Sequence, residues 1–68
     1  MLISILVNGE ARTARAGETI LDLLRTLKID PERVAIELDR RIIKQPRWGE
    51  TELREGAAVE IVQFVGGG

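Results

Sequence analysis

The chain opens with an apolar run that stops at a turn signal. Residues 2–7 are aliphatic apart from Ser4, and Asn8-Gly9 follows, the dipeptide most typical of a tight type I′ hairpin turn. Residues 10–15 form a weak and mostly polar pattern that suits an outer strand of a sheet. The pattern therefore predicts a hairpin whose second strand lies at the edge of the sheet.

A helical pattern begins at Thr19. This residue can cap the first N–H groups of a helix, and Asp22 stands three residues later in the place of the capping-box acid. Asp30-Pro31 should end the helix, because proline has no N–H and disfavours helical geometry in the residue before it. We expect one apolar stripe at i, i+3, i+4 and i+7 to be buried against the sheet: Ile20, Leu23, Leu24 and Leu27.

Three further strands are predicted after the helix. Short apolar runs alternate there with turn residues. Their predicted order is strand 34–38, turn 39–41, strand 42–43, loop 45–49, turn 55–56 and strand 58–64. Five strands and one helix predict an α+β domain of two layers, in which the helix covers one face of a mixed sheet, the outline of a β-grasp fold.

Composition limits how such a small domain is stabilised. The 68 residues include no Cys and no His, so we expect an aliphatic core rather than disulfides or a metal. Trp48 is the one tryptophan, and we expect it to cover the edge of that core. The net charge of −1 offers no large basic field for nucleic acid. Neither a signal peptide nor a membrane anchor is expected, so the predicted compartment is the cytoplasm.

The sequence holds almost none of the parts of a catalytic site. It lacks His, Cys and Tyr, and Ser4 lies inside a predicted strand. No glycine-rich loop followed by Lys is present to bind a phosphate. We therefore expect no catalytic residues, no metal site and no free-standing enzymatic activity.

Two groups of charged residues allow more than one interpretation. Acidic side chains are normally exposed, so the glutamates between residues 50 and 55 are interpreted as solvated surface rather than a metal site: Glu50, Glu52 and Glu55. A small basic segment precedes them. It is interpreted either as a solvated loop or as a surface for an acidic patch on a partner protein, and its members are Arg40, Arg41, Lys44 and Arg47.

The C-terminal segment is where chemistry can take place. Val65 leads into Gly66-Gly67-Gly68, which reaches roughly 10–11 Å when extended and has no Cβ to obstruct a narrow channel. The α-carboxylate of Gly68 is ionised at pH 7 and resists nucleophilic attack until it is activated. Adenylation followed by attack of a persulfide sulfur would leave a thiocarboxylate. The alternative interpretation is a frayed terminus without a function.

Several motifs give the chain a resemblance to a known family. The strongest is the last strand with its glycines, residues 59–68, and weaker ones are Asn8-Gly9, residues 16–19 with Leu23-Leu24, and residues 34–36. The whole chain resembles the ubiquitin-like sulfur carriers, and most closely the ThiS family of thiamin (thiazole) synthesis. It departs from the pattern at residues 39–41, Asp-Arg-Arg, where family members often carry Asn and Gly.

The resemblance implies a ubiquitin-like β-grasp domain over residues 1–65 and a flexible glycine tail over residues 66–68. It also implies that the first and last strands are parallel neighbours in the middle of the sheet. Gly66 and Gly67 match the tail of the family. The apolar contact surface beside the tail corresponds to Val62, Phe64 and Val65, and we expect Val62 and Phe64 to be exposed.

The same resemblance implies a chemistry that is carried out by partners. An adenylyltransferase related to ubiquitin-activating enzymes would use ATP and Mg²⁺ to activate Gly68, and a persulfide donor would supply sulfur. Thiazole synthase would receive it, so the chain would bind no cofactor of its own. Two alternatives stay open: a carrier of the same design for molybdopterin or tRNA thiolation, and a non-catalytic protein-binding module.

Overall fold

The structure of the protein is a computed structural model that describes residues 1–64. Within these residues, one α-helix and two short 3₁₀ helices accompany a five-stranded mixed sheet of order β2-β1-β5-β3-β4. The elements are β1 (Leu2–Val7), β2 (Glu10–Arg15), α1 (Ile20–Thr26), a 3₁₀ helix (Pro31–Arg33), β3 (Val34–Leu38), β4 (Arg41–Ile43), a 3₁₀ helix (Gln45–Glu50) and β5 (Ala58–Gln63). The predicted α+β architecture, a ubiquitin-like β-grasp, is confirmed.

The last strand lies in the centre of the sheet. β5 runs parallel to β1, with Leu6 opposite Ala58 and Val7 opposite Val59, and antiparallel to β3 on its other side. Among the described strands, β2 pairs with β1 alone and forms an edge, as its polar pattern predicts. The parallel pairing of first and last strands, which the family resemblance implies, is therefore present.

The first hairpin has the structure that its sequence predicts. In β1, Ile3, Ile5 and Val7 are buried while the alternate residues are exposed, so one face of the strand lines the core. Asn8 and Gly9 have φ values of 51° and 83°, the left-handed geometry that a type I′ turn requires at both central positions. The turn thus fixes the register of β1 against β2.

Helix α1 begins as predicted and ends earlier than predicted. Thr19 and Asp22 form the reciprocal capping box, and Ile20, Leu23 and Leu24 are buried against the sheet. Leu27 is half-buried and packs against the same core. The prediction that Asp30-Pro31 ends the helix is wrong, since α1 stops at Thr26.

A Schellman motif ends the helix. Lys28 takes a φ of 59°, which allows the N–H of Ile29 to donate to the carbonyl of Leu24 at 2.9 Å and the N–H of Lys28 to donate to that of Arg25 at 3.1 Å. Glycine is the usual residue at this left-handed position, and without it the sequence carries no stop signal there. Pro31 instead begins the first 3₁₀ helix.

Three other boundaries differ from the predictions. β4 begins at Arg41, residues 45–50 form a 3₁₀ helix rather than an irregular loop, and β5 ends at Gln63. The 3₁₀ helix turns Trp48 into the core, where 3% of the residue is exposed and its Nε1 donates to the Ile43 carbonyl at 2.7 Å. No helix within residues 1–64 has the length and apolar content needed to span a membrane.

Candidate functional site

The candidate site lies at the C-terminal end of β5. Val59 and Ile61 point into the core and are almost fully buried, whereas Val62 is 55% exposed on the face that α1 does not cover. Phe64, which follows the strand with the same alternation, is 58% exposed. The predicted exposure of Val62 and Phe64 is confirmed, and their role in binding a partner stays a prediction.

Two sets of hydrogen bonds hold this end of β5 in place. The N–H of Phe64 donates to the Arg33 carbonyl at 2.8 Å, which continues the ladder with β3 past the last residue of the strand. On the other side, the side-chain amide of Asn8 bonds the backbone of Ile61, accepting from its N–H at 2.7 Å and donating to its carbonyl at 3.2 Å. The chain therefore reaches Phe64 from a rigid central strand.

The predicted activation site follows Phe64 in the sequence. Val65, Gly66, Gly67 and Gly68 lie outside the described residues, and so does the predicted boundary between the domain and its tail. Their roles as contact surface, tail and activation site remain predictions.

The exposed apolar face is broader than the sequence-based prediction. Leu2 and Leu6 on β1 are 65% and 42% exposed on the same face as Val62, and Ile42 on β4 is 74% exposed. The signal was present, because residues 2–7 are apolar at both alternations and a single helix covers one sheet face only. Within this face, Glu37 and Glu60 are directly opposite each other across β3 and β5.

The described residues contain no arrangement typical of a catalytic centre. Across residues 1–64 no charged side chain is buried, and no buried side-chain polar atom lacks a hydrogen-bond partner. The glutamates of residues 50–55 are also held separately, as Glu50 lies 3.8 Å from Arg47 and Glu55 accepts from the N–H of Ser4 at 3.0 Å. In the described part of the chain, no three potential ligands come together to hold a metal ion.

One open hollow of about 460 Å³ lies away from the candidate site. It is lined by residues of the β3–β4 turn and of the segment before β5, including Asp39, Glu52 and Ala57. Ala57 precedes the start of β5, whereas Phe64 follows its end, so the length of the strand separates the two places. The hollow therefore does not adjoin the C-terminal end of β5.

Comparison with known proteins points to one family. A model of the ThiS family matches residues 5–68, including the glycines that follow the described residues. The sulfur carrier protein ThiS of Bacillus subtilis is 42% identical over 50 residues, which cover 74% of this chain and 76% of that protein. The crystal structure of the thiamine biosynthesis protein ThiS from Geobacter metallireducens superposes with a TM-score of 0.84 at 30% identity, covering 97% of this chain and all of that one.

A second kind of relative is longer. A thiazole synthase of Magnetococcus marinus is 38% identical over 66 residues, which are 97% of this chain and 20% of that protein. The chain thus spans about a fifth of the length of this relative.

Proposed function

Because the chain belongs to the ThiS family, we propose that it is a sulfur carrier of thiamin synthesis whose reactive group is the α-carboxylate of Gly68. The match of the family model to residues 5–68 supports the proposal most directly, since it takes in both the β-grasp domain and the three glycines. The structure adds that Phe64, the last described residue, is tied to the centre of the sheet.

The proposed chemistry begins with a carboxylate that resists attack. A carboxylate oxygen of Gly68 attacks the α-phosphorus of ATP, pyrophosphate leaves, and an acyl adenylate forms on the partner adenylyltransferase with Mg²⁺ present. A persulfide sulfur of the donor then attacks the carbonyl carbon, and AMP leaves. A second thiolate on the donor side attacks the resulting acyl disulfide, which releases the thiocarboxylate and leaves a disulfide behind.

The absence of side chains around the reaction centre suits a substrate rather than a catalyst. Glycine offers no bulk beside the carbonyl carbon, so Gly66 and Gly67 can pass through a partner's channel as a slim chain. The exposed apolar side chains Val62 and Phe64, with Val65, would then contact the partner beside that channel. The partner would supply all acid, base and metal chemistry, so the carrier itself would not be an enzyme.

Thiazole synthase is the proposed acceptor of the sulfur. Thiazole synthases of Magnetococcus marinus and Paramagnetospirillum magneticum contain a segment similar to almost all of this chain, at 38% and 33% identity. A carrier joined to its acceptor in one polypeptide meets it at an effective concentration in the millimolar range. Such joined proteins are expected where the two parts act on each other, which supports the same pairing for this separate chain.

Intact mass spectrometry tests the proposal. The protein ending at Gly68 is incubated with an adenylyltransferase of the ubiquitin-activating class, ATP, Mg²⁺ and a persulfide donor. We expect one oxygen to be exchanged for sulfur. A form without Gly68 and a form with one added residue should keep their mass, because neither presents this carboxylate.

The outcome also separates the alternatives. If the extended form is sulfurated at the rate of the wild type, a group other than the Gly68 carboxylate is the acceptor. If no form is sulfurated, the result favours a protein-binding module. Transfer of sulfur from the thiocarboxylate to thiazole synthase, compared with transfer to a molybdopterin synthase and to a tRNA thiolase, then identifies the pathway.

Gly67→Val should slow the sulfuration of Gly68, since a β-branched residue widens and stiffens the tail.

A further inference from the structure

A basic segment occupies the edge of the sheet farthest from β2. Residues 40–47 contain four of the ten Lys and Arg residues and no Asp or Glu, although the whole chain has a net charge of −1. All four cationic residues are exposed: Arg40, Arg41, Lys44 and Arg47. Within residues 1–64, the ion pair formed by this set is the exposed contact of Arg47 with Glu50 at 3.8 Å. We call residues 40–47 the basic edge.

The backbone at the basic edge is open for pairing. On the β5 side, the N–H of Asp39 donates to the Ala58 carbonyl and the carbonyl of Arg33 accepts from the N–H of Phe64. Backbone groups point to alternate sides along a strand, so the N–H and C=O groups of Ile36 and Leu38 point to β4. Their partners across the ladder are Ile43 and Arg41. The N–H and C=O of Ile42, between those partners, therefore point away from the sheet, and no described strand lies beyond them.

An apolar groove adjoins this free backbone. It has a volume of about 350 Å³, and the side chains that line it are Ile42, Ile43, Lys44, Pro46 and Arg47. Ile42 itself is 74% exposed. The groove thus combines aliphatic walls with two cations, a combination that suits an aliphatic side chain flanked by carboxylates.

Edge protection does not account for these features. Charged side chains on an edge strand do prevent aggregation, but an edge built only for protection has no reason to expose a large aliphatic residue at its centre. The left-handed φ values of Asp39 and Arg40, 51° and 71°, are accounted for by the two-residue turn between β3 and β4, which requires such values at both central positions.

We propose that the basic edge binds an extended acidic segment of a partner protein, which adds to β4 as a sixth strand. The segment would pair with the free backbone of Ile42, place an aliphatic side chain in the groove, and direct carboxylates at Arg41 and Lys44. Charge complementarity identifies the occupant as acidic. The surface is separate from the end of β5, because β3 lies between β5 and β4. It therefore goes beyond sulfur transfer and does not depend on it.

The test is a nitrogen-15 NMR titration at low salt with a capped peptide in which two central Val residues are flanked by three Glu residues on each side, about eight residues long to match an ordinary strand. We expect the amide signals of residues 41–44 to shift and binding to weaken with added salt. A peptide in which Lys replaces Glu should leave the spectrum unchanged. A Glu-Val peptide N-methylated on the amides of one edge should bind at least several-fold more weakly, since strand addition needs those donors.

Matched charge reversals locate the site. Arg41→Glu with Lys44→Glu should reduce the affinity about tenfold or more, as expected for exposed pairs acting together. Arg12→Glu with Arg15→Glu makes the same change in net charge on β2, at the opposite edge, and should have a much smaller effect. Circular dichroism confirms that each variant is folded before its affinity is measured.

Three results would overturn the proposal. Equal losses of peptide affinity in the two double variants would mean that binding depends only on the net charge of the protein. Shifts centred on Val62 and Phe64 would assign the peptide to the face beside the tail. Binding of an oligouridylate of equal charge, or of vesicles of anionic lipid, as tightly as the Glu-Val peptide would mean that the edge responds to any polyanion rather than to a protein strand.

Discussion

The side chain of Asn8 takes the place of a strand residue opposite Ile61. Its Oδ1 accepts from the Ile61 N–H at 2.7 Å and its Nδ2 donates to the Ile61 carbonyl at 3.2 Å, although the two residues are 53 positions apart. The backbone of β1 turns away at this point, and the amide group continues the pairing with β5 in its place. One residue thus forms the hairpin turn and secures the strand that carries the candidate site.

Asn8→Gly should therefore destabilise the protein by roughly 1–3 kcal/mol, since two hydrogen bonds of about 0.5–1.5 kcal/mol each are lost. Glycine accepts the φ of 51° without strain, so the turn itself is kept. Asn8→Asp retains the acceptor but brings a carboxylate oxygen against the Ile61 carbonyl, so we expect a loss at least as large as that of Asn8→Gly. Urea unfolding gives the free energies, and faster hydrogen exchange at the Ile61 amide would locate the effect; an unchanged rate would contradict it.

Leu24→Ala should destabilise the protein by about 2–5 kcal/mol, because Leu24 is fully buried between α1 and the sheet. Leu6→Ala removes the same atoms from the sheet face that α1 does not cover, where Leu6 is 42% exposed. This substitution should cost less than about 1 kcal/mol. Urea unfolding of both variants measures the difference. Equal losses would argue against the orientation of the helix.

Phe64→Glu should reduce the affinity for thiazole synthase by about tenfold or more, as expected for an aromatic residue within a contact surface. The far-ultraviolet circular dichroism spectrum should stay close to that of the wild type, because more than half of Phe64 is exposed and the fold does not depend on burying it. Gln63→Glu introduces the same charge one residue earlier without removing apolar surface, and it serves as the matched control. Comparable affinities for the two variants would remove Phe64 from the interface.

The stability of the protein should depend on the ionisation of Asp22. The backbone N–H of Thr19 and then its hydroxyl group hold the pKa of this carboxyl below its ordinary value; burial opposes them, and the Arg25 guanidinium makes the smallest contribution, which also lowers the pKa. The folded state thus favours the ionised form. The contribution is fully present above the ordinary aspartate pKa of about 3.9 and is lost as the pH falls through the lower folded value.

Urea unfolding of the wild type and of Asp22→Asn, at about pH 6 and about pH 3, tests this dependence. The stability difference between them should shrink at the lower pH, because the side-chain amide of the variant does not titrate. A difference that is the same at both pH values would mean that Asp22 is not the responsible group.

Arg40→Gly should stabilise the protein by up to about 1 kcal/mol. A residue with a Cβ loses roughly 1–2 kcal/mol at a left-handed φ, and the larger unfolded-state entropy of glycine offsets only part of that gain. Arg40→Ala removes the same charge and keeps the strained backbone, so its stability should be nearly unchanged. Thermal unfolding of the two variants distinguishes relief of strain from loss of charge.

Elements with local signals were predicted well, and those that depend on distant contacts were not. The hairpin at Asn8-Gly9 and the cap at Thr19 are encoded within a few residues, and alternation within residues 58–64 correctly placed Val62 and Phe64 outside. The bonds of Asn8 to Ile61 had no such signal, because only folding brings together residues so far apart in sequence.

The early end of α1 had no local signal either. A lysine, rather than glycine, adopts the left-handed position after the helix, and packing of Ile29 against the core holds it there. Pro31 was the visible stop signal, and it acts several residues too late. The 3₁₀ helix around Trp48 was missed for a related reason, since its geometry depends on burying the indole ring.

The central position of β5 also sets the order in which the molecule can assemble during synthesis. On the ribosome, β1 and β2 emerge first and β3 and β4 later, yet these two pairs have no direct contact in the sheet until β5 is inserted between them. Long-range pairing of this kind is slow and comes late in folding. A released chain that ends before residue 58 would therefore expose two separate hairpins and remain a substrate for proteases. A complete sheet is available only to chains that have acquired the strand leading to the glycines.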